Sequence, residues 1–351
     1  MSRPTLMIYG ATGYTGQLIA ARAVALGLEP ILAGRNAQKL ASMARKFGLE
    51  TRAFDLGDAD RIAAALENIT VVLHCAGPFV HTATPMFEAC LRTGTHYLDI
   101  TGEIDVFESL AARDAEAKEA RIMALPGAGF DVVPSDCLIA DLAARYPGGQ
   151  YMRLGLAAHS GVSRGTMRTV LEGITDFRIR RNGAITRVAA GSLSHDFDFG
   201  VPPRTALVGV LGDVSTAYWS TGIPNIATYG QATSLVRMLT RMSRLFGWLP
   251  GRMPQILLGR WVERAPTGPS ESERRGSYAI LVAEIEDANG RRAAARLRTP
   301  DPYDVTAEAA VTIATRALHG DIKIGYQTPS LAYGADLIRQ FPDVQWDLLE
   351  C

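Results

Sequence analysis

The clearest chemical signal in the chain is Gly10-Ala11-Thr12-Gly13-Tyr14-Thr15-Gly16. This stretch follows the apolar run Leu6-Met7-Ile8-Tyr9 and precedes the helical pattern Gln17–Leu26. A strand that enters a glycine turn and leaves as a helix offers little side-chain bulk, free backbone N–H groups and the positive end of a helix dipole. A dinucleotide pyrophosphate needs those features, so residues 10–16 are expected to contact one. After the second apolar run comes Gly34-Arg35-Asn36. An NAD site usually places an acidic residue there to accept both ribose hydroxyls. Arg35 instead offers a planar cation to a 2′-phosphate, with Lys39 one helical turn on, and so points to NADP. The plainer alternative for Arg35 is a solvated arginine at a helix start.

Later strand ends add candidates. Asp55-Leu56 places an acceptor where an adenine amino group would lie, or else Asp55 caps the next helix. Cys75-Ala76-Gly77-Pro78 combines small residues, which let a cofactor approach the backbone, with a proline that stops the strand. Cys75 itself reads as a thiol packing like a small apolar group rather than as a nucleophile. Asp99 and Glu103, in Tyr97-Leu98-Asp99-Ile100-Thr101-Gly102-Glu103, are candidates for orienting a substrate or moving a proton. Asp131, in Gly127-Ala128-Gly129-Phe130-Asp131, is a third. Turn and capping chemistry is the competing role for all three.

These residues need a frame. Short apolar strands are predicted at Leu6–Tyr9, Glu29–Ala33, Glu50–Phe54, Val71–Cys75, His96–Asp99 and Arg121–Ala124. Helices at Gln17–Leu26, Ala37–Phe47, Asp58–Leu66, Thr84–Thr93 and Val106–Glu119 alternate with them. That alternation predicts an α/β fold whose N-terminal part, residues 1–128, is a Rossmann-type doubly wound parallel sheet. Residues 129–320 read as a second, α+β domain on a mostly antiparallel sheet, for substrate binding or dimerisation. Its predicted helices are Ser135–Arg145, Thr166–Arg180 and Val305–Leu318. The pair Ala279–Glu286 and Ala293–Arg298 flanks Asn289-Gly290, a strong hairpin signal.

The motifs Gly10–Gly16, Cys75-Ala76-Gly77-Pro78-Phe79, Tyr97-x-Asp99-x-Thr101-Gly102-Glu103 and Gly129-Phe130-Asp131-x-x-Pro134-Ser135-Asp136 together resemble the saccharopine dehydrogenase-like oxidoreductases. The nearer branch includes the trans-acting enoyl reductases. Ser163-Arg164-Gly165-Thr166 and Thr328-Pro329-Ser330-Leu331-Ala332-Tyr333-Gly334 extend the likeness over almost the whole chain. The resemblance implies an NADP-binding Rossmann domain, an α+β second domain and a C-terminal segment, 321–351, that returns to the first. It implies an NADP-dependent oxidoreductase that transfers hydride. The reaction is either enoyl reduction, which the amphipathic stretch at 231–262 favours by suiting a lipid-like substrate, or saccharopine-type imine chemistry on a small one. A non-catalytic NADP-binding, membrane-associated scaffold is the alternative from a different class. Two departures bear on the substrate. Arg164 stands where relatives carry a small residue, and Ile324-Gly325-Tyr326-Gln327 stands where they carry paired glycines.

The stretch 231–262 is distinctive. Leu235, Met238, Leu239, Met242, Leu245 and Phe246 recur at helical spacing, with Arg237, Arg241 and Arg244 on another face. Such a helix suits a lid on an apolar pocket, a peripheral membrane contact or a homodimer contact, while core packing is the plainer alternative. Elsewhere the composition excludes more than it selects. Lys+Arg and Asp+Glu both total 36 in 351 residues, which leaves no net charge to attract nucleic acid. The four cysteines lack metal or disulfide spacing, and no histidine has a ligand partner at metal spacing, so no metal and a cytoplasmic location are expected. No apolar run approaches the roughly 20 residues that span a bilayer.

Overall fold

The computed structural model describes residues 4–167, 176–200, 204–232 and 267–349. The chain divides into two compact units, Met1–Val133 with Tyr303–Tyr333, and Pro134–Pro302 with Gly334–Cys351.

In the first unit the order is β1 (Leu6–Tyr9), α1 (Tyr14–Ala25), β2 (Ile31–Gly34), α2 (Ala37–Phe47), β3 (Thr51–Ala53), α3 (Ala59–Leu66), β4 (Val71–His74), α4 (Phe79–Thr93), β5 (His96–Asp99), α5 (Ile104–Ala112), α6 (Asp114–Glu119) and β6 (Met123–Leu125). The second unit contributes α7 (Val133–Arg145), β7 (Gly149–His159), β8 (Arg178–Arg181), β9 (Ala184–Arg187), β10 (Ser194–Phe197), β11 (Arg204–Val208), α8 (Asp213–Thr221), β12 (Asn225–Gln231), α9 (Glu271–Arg275), β13 (Tyr278–Asp287) and β14 (Arg292–Thr299). The chain then returns to the first unit with α10 (Pro302–Leu318), β15 (Gly325–Tyr326) and α11 (Pro329–Tyr333), and ends in the second with β16 (Gln345–Leu349).

The first sheet has the order β15-β6-β5-β4-β1-β2-β3, and every pairing is parallel. Strands β1, β2 and β4 are buried at every position, so they read as continuous apolar runs rather than alternating ones. The chain runs outward from β1 to β3, then jumps back to β4 on the other side of β1. That reversal opens a crevice beyond the carboxyl ends of β1 and β4, where ligands of such sheets bind.

Several predicted elements move. Helix α4 begins at Phe79 rather than Thr84, because Glu103 accepts from the N–H groups of Phe79 and Val80 and so closes its first turn. The single helix expected over Val106–Glu119 is two, broken at Arg113, whose φ of −103° and ψ of 19° leave the helical region. Arg113 turns its guanidinium onto Glu116 at 2.7 Å and over the Phe87 ring at 5.0 Å.

Helix α10, expected in the second domain, belongs with the first unit. Tyr303 meets Tyr14 edge to face at 5.1 Å, Glu308 pairs with Arg22 at 2.7 Å, and Thr306 accepts from the Phe130 N–H at 3.1 Å. The returning segment therefore starts before residue 321 and stops at Tyr333, since β16 pairs antiparallel with β14 in the second unit.

The second sheet runs β10-β11-β12-β7-β13-β14-β16, with β8 beside β12 and β9 beside β8. All its pairings are antiparallel except β12 with β7. The helix predicted over Thr166–Arg180 does not reach Arg180. Residues 178–181 form β8, and Asn182 (φ 49°) with Gly183 (φ 80°) turns the chain directly into β9. Asn182-Gly183 is thus the same hairpin signal as Asn289-Gly290. Arg180 is buried there, its guanidinium donating to the carbonyls of Val214 and Gly183 and lying 4.2 Å over the Tyr218 ring. Residues 168–175 of that helix, and residues 233–262 of the amphipathic stretch, lie outside the described residues. Among the described residues no helix is long and apolar enough to cross a membrane.

One face of this sheet is covered by its own edge. Phe197 of β10 lies over β7 so closely that a Cβ at Gly155 would stand 2.7 Å from its ring. His195 reaches Glu284 at 2.8 Å, and Asp198 reaches Arg296 at 3.3 Å, so the hairpin β10–β11 is tied down on both sides of that ring. Phe197, Phe199, Ala157, Tyr229 and Val282 form the resulting core. Truncating Phe197 to alanine should cost about 3–5 kcal/mol, measured as a lower urea midpoint for the second unit at unchanged slope.

Candidate active site

The glycine turn is bolted to two strands at once. Gly10 and Ala11 donate their N–H groups to the Ala33 carbonyl at 2.8 and 3.2 Å, and the Cys75 N–H donates to the Tyr9 carbonyl at 2.8 Å. Gly10 has φ +84°, and a Cβ on it would lie 2.8 Å from the Cys75 carbonyl carbon and 2.9 Å from Ala76. A Cβ on Gly16 would stand 2.3 Å from the Gly10 carbonyl oxygen. Both positions therefore admit only glycine. The Gly13 N–H closes the turn onto the Gly10 carbonyl at 3.0 Å, and Gly13 is the N-cap residue from which α1 starts.

The ends of the helices at this edge are not equivalent. Asn36 caps α2 and Asp58 caps α3, each side chain accepting from first-turn N–H groups. Glu103 closes α4, and α5 carries Asp105 in its first turn. Among the described helices that follow β1–β5, α1 alone has neither a capping side chain nor an acidic first turn. Its N–H groups and dipole are the ones left to receive an anion. The cradle that a Cβ would fill at Gly10 and Gly16, together with this uncapped end, fits a dinucleotide.

The remaining cofactor candidates line the same edge: Arg35 after β2, Asp55 and Leu56 after β3, and Cys75, Ala76, Gly77 and Pro78 after β4. Arg35 is exposed, and its charge and that of Asp55 both act on Tyr9, whose phenol burial pushes up to about 12. Asp55 does not cap α3; it accepts the Gly57 N–H at 2.9 Å in a local turn, three residues before the true cap Asp58. Leu56 packs against the core. The Cys75 thiol is pushed upward by burial and by the Asp99 carboxylate, so it stays neutral and unreactive.

The three carboxylates proposed for catalysis separate into different environments. Asp99 is fully buried and accepts from the Tyr97 hydroxyl at 2.6 Å and from the N–H groups of Thr101 and Gly127, both at 2.9 Å. Burial pushes its carboxyl up to about 6 against those donors. Glu103 spends one oxygen on the Phe79 N–H at 2.9 Å and the other on the Val80 N–H at 2.7 Å. Asp131 is different. Its carboxyl lies over Gly102, where a Cβ would stand 3.0 Å from Oδ2, and burial pushes it up to about 6 although the residue keeps solvent access.

Thr82, which carries no signal in the sequence, and His74, whose sequence context supports no catalytic role, both support the site. Thr82 donates to the Ala76 carbonyl at 2.8 Å, so the proton between it and His74 Nε2, 3.0 Å away, belongs to the imidazole. His74 is buried among the rings of Tyr9, Phe79 and Tyr97, and burial pushes its pKa down to about 3. It is a neutral packing residue.

Residues 6–125 match the saccharopine dehydrogenase NADP binding domain. Along the rest of its length the chain is similar to proteins named as trans-acting enoyl reductases and, over shorter stretches, as saccharopine dehydrogenase-like oxidoreductases. A trans-acting enoyl reductase of Mycobacterium ulcerans is 26% identical over 410 residues, covering 96% of this chain and 95% of that protein. A saccharopine dehydrogenase-like oxidoreductase of Bos taurus is 30% identical over 151 residues, 37% of this chain and 35% of that protein. Apo saccharopine dehydrogenase (L-Glu forming) of Saccharomyces cerevisiae shares the fold, with a TM-score of 0.68 over 99% of this chain and all of that one at 12% identity. Residues 6–125 are therefore an NADP-binding domain of the saccharopine dehydrogenase type.

Two outcomes are expected from this geometry. Gly10→Ala forces a side chain into backbone at positive φ, so it should cost about 1–3 kcal/mol and weaken NADPH binding roughly tenfold, read by melting and by fluorescence titration. Asp131 titrates near 3.9 when unfolded and near 6 when folded, so the folded state holds its proton more tightly. Its stabilising contribution is complete below about pH 4 and is lost as pH rises through about 6. Thermal melts across that window should therefore fall less steeply in Asp131→Asn, leaving the part that Asp99 supplies.

Proposed function

We propose that this chain uses NADPH to reduce an activated carbon–carbon double bond in a lipid-like acyl substrate. The observation that carries the reading is the likeness to a trans-acting enoyl reductase along 96% of this chain and 95% of the relative. The likeness to the saccharopine dehydrogenase-like oxidoreductase covers only 37% of the chain. In this reading the α1 N-terminus behind Gly10–Gly16 receives the pyrophosphate and Arg35 the 2′-phosphate. Asp55 and Leu56 flank the adenine, and the backbone of Cys75–Pro78 borders the nicotinamide half. Bound NADPH supplies the hydride. Asp131 supplies the proton that the second alkene carbon needs. A carboxyl near 6 that solvent can recharge stays partly protonated near neutrality, as a general acid requires.

The test is NADPH oxidation with enoyl thioesters of increasing acyl length, beside glutamate-derived imines. Turnover of the thioesters is expected, whereas turnover of imines alone would replace the substrate class. Arg35→Asp should weaken NADPH by roughly 10–100-fold through loss of a charge-assisted phosphate contact, with NADH changed far less. Equal effects on both cofactors would remove Arg35 from the 2′-phosphate.

A further inference from the structure

Glu103 lies at the end of a run of hydrogen bonds that starts in the core of the first unit. Asp99, fully buried, accepts from the Thr101 N–H at 2.9 Å. Thr101, also buried, accepts from the Glu103 N–H through its hydroxyl at 3.1 Å. Glu103 then receives the N–H groups of Phe79 and Val80 on its two oxygens. A second branch leaves Asp99 for the Gly127 N–H at 2.9 Å, and the Asp99 carbonyl takes the Ala128 N–H at 2.7 Å. The carboxyl ends of β4, β5 and β6 are thereby held in one register by side-chain chemistry that the sheet ladder does not supply.

The β4 end matters most. Its turn Cys75–Pro78 has no side-chain cap of its own for α4, and Thr82 holds it by donating to the carbonyls of Ala76 and Pro78. A carboxylate delivered from the next strand's loop fills the first turn of α4 with two charge-assisted bonds. It also occupies the positive end of that helix, which would otherwise compete with α1 for an anion.

We infer that Glu103 is a positioning residue: it sets the β4 turn as the nicotinamide-side wall of the cofactor site and closes the α4 N-terminus to phosphate. The inference rests on the NADPH reading above. With both oxygens engaged, Glu103 moves no proton. Its loss acts on the half of the cofactor that borders Cys75–Pro78 and leaves the adenosine half, held after β2 and β3, unchanged.

The experiment compares two ligands on the full chain. NADPH spans both halves, whereas adenosine 2′,5′-bisphosphate reaches only the adenosine half. Titrations by fluorescence for NADPH and by calorimetry for the bisphosphate are made on the wild type, Glu103→Gln and Glu103→Ala. Glu103→Ala should lose roughly tenfold in NADPH affinity, and Glu103→Gln, which keeps one acceptor, should fall in between. Bisphosphate affinity should stay within about twofold for both. Unchanged NADPH affinity in Glu103→Ala overturns the inference, and so does a parallel loss of both ligands. Should the wild type bind the bisphosphate but not NADPH, the reading beneath the inference fails instead, and the two failures are told apart by the wild-type titration alone.

Discussion

The first unit is organised around an approach of backbone to backbone that no side chain would allow. Gly10 sits where the ends of β2 and β4 converge, its N–H on the Ala33 carbonyl and its α-carbon against Cys75 and Ala76. Gly16 in turn presses α1 onto the Gly10 carbonyl. These contacts draw α1 against the sheet and aim its first turn into the crevice between β1 and β4. Were a methyl group present at either place, the turn would have to lift, and the helix dipole would no longer point at the strand ends.

Charge placement follows from that geometry. Each other helix that follows β1–β5 at this edge is satisfied locally, by Asn36, Asp58 or Glu103, or carries an acid in its first turn, as α5 does. Among the described helices that follow β1–β5, only α1 lacks such a partner, which suits it to an external anion. The carboxylates on the opposite side divide similarly. Asp99 and Glu103 are consumed by loop N–H groups, whereas Asp131 keeps a raised pKa and access to water. The same residue type is thus engaged by donors or left with a raised pKa and access to water according to its surroundings.

Local patterns were legible wherever a single segment carries its own signal. β1, β5 and α2 lie at their predicted bounds, because apolar runs and amphipathic periods need no partner to be read. The start of α4 was not legible, since the carboxylate that closes its first turn comes from Glu103, more than 20 residues on. The caps of α3 were readable in kind but not in place: Asp55 and Asp58 both suit a cap, and only the turn through Gly57 decides between them. The β8–β9 hairpin at Asn182-Gly183 carried a readable signal that the helical spacing upstream obscured.

By itself the sequence determined the doubly wound sheet, the glycine turn after β1 and the cation after β2, because each follows from residue types at short spacing. Tertiary structure alone decided that α10 packs onto the turn that begins at Gly10, through Tyr303 against Tyr14 and Glu308 against Arg22. It also decided that Glu103 is a cap and Asp131 an accessible carboxyl. Those outcomes depend on which N–H groups and which low-dielectric surroundings meet a side chain from distant parts of the chain, and no local spacing encodes them.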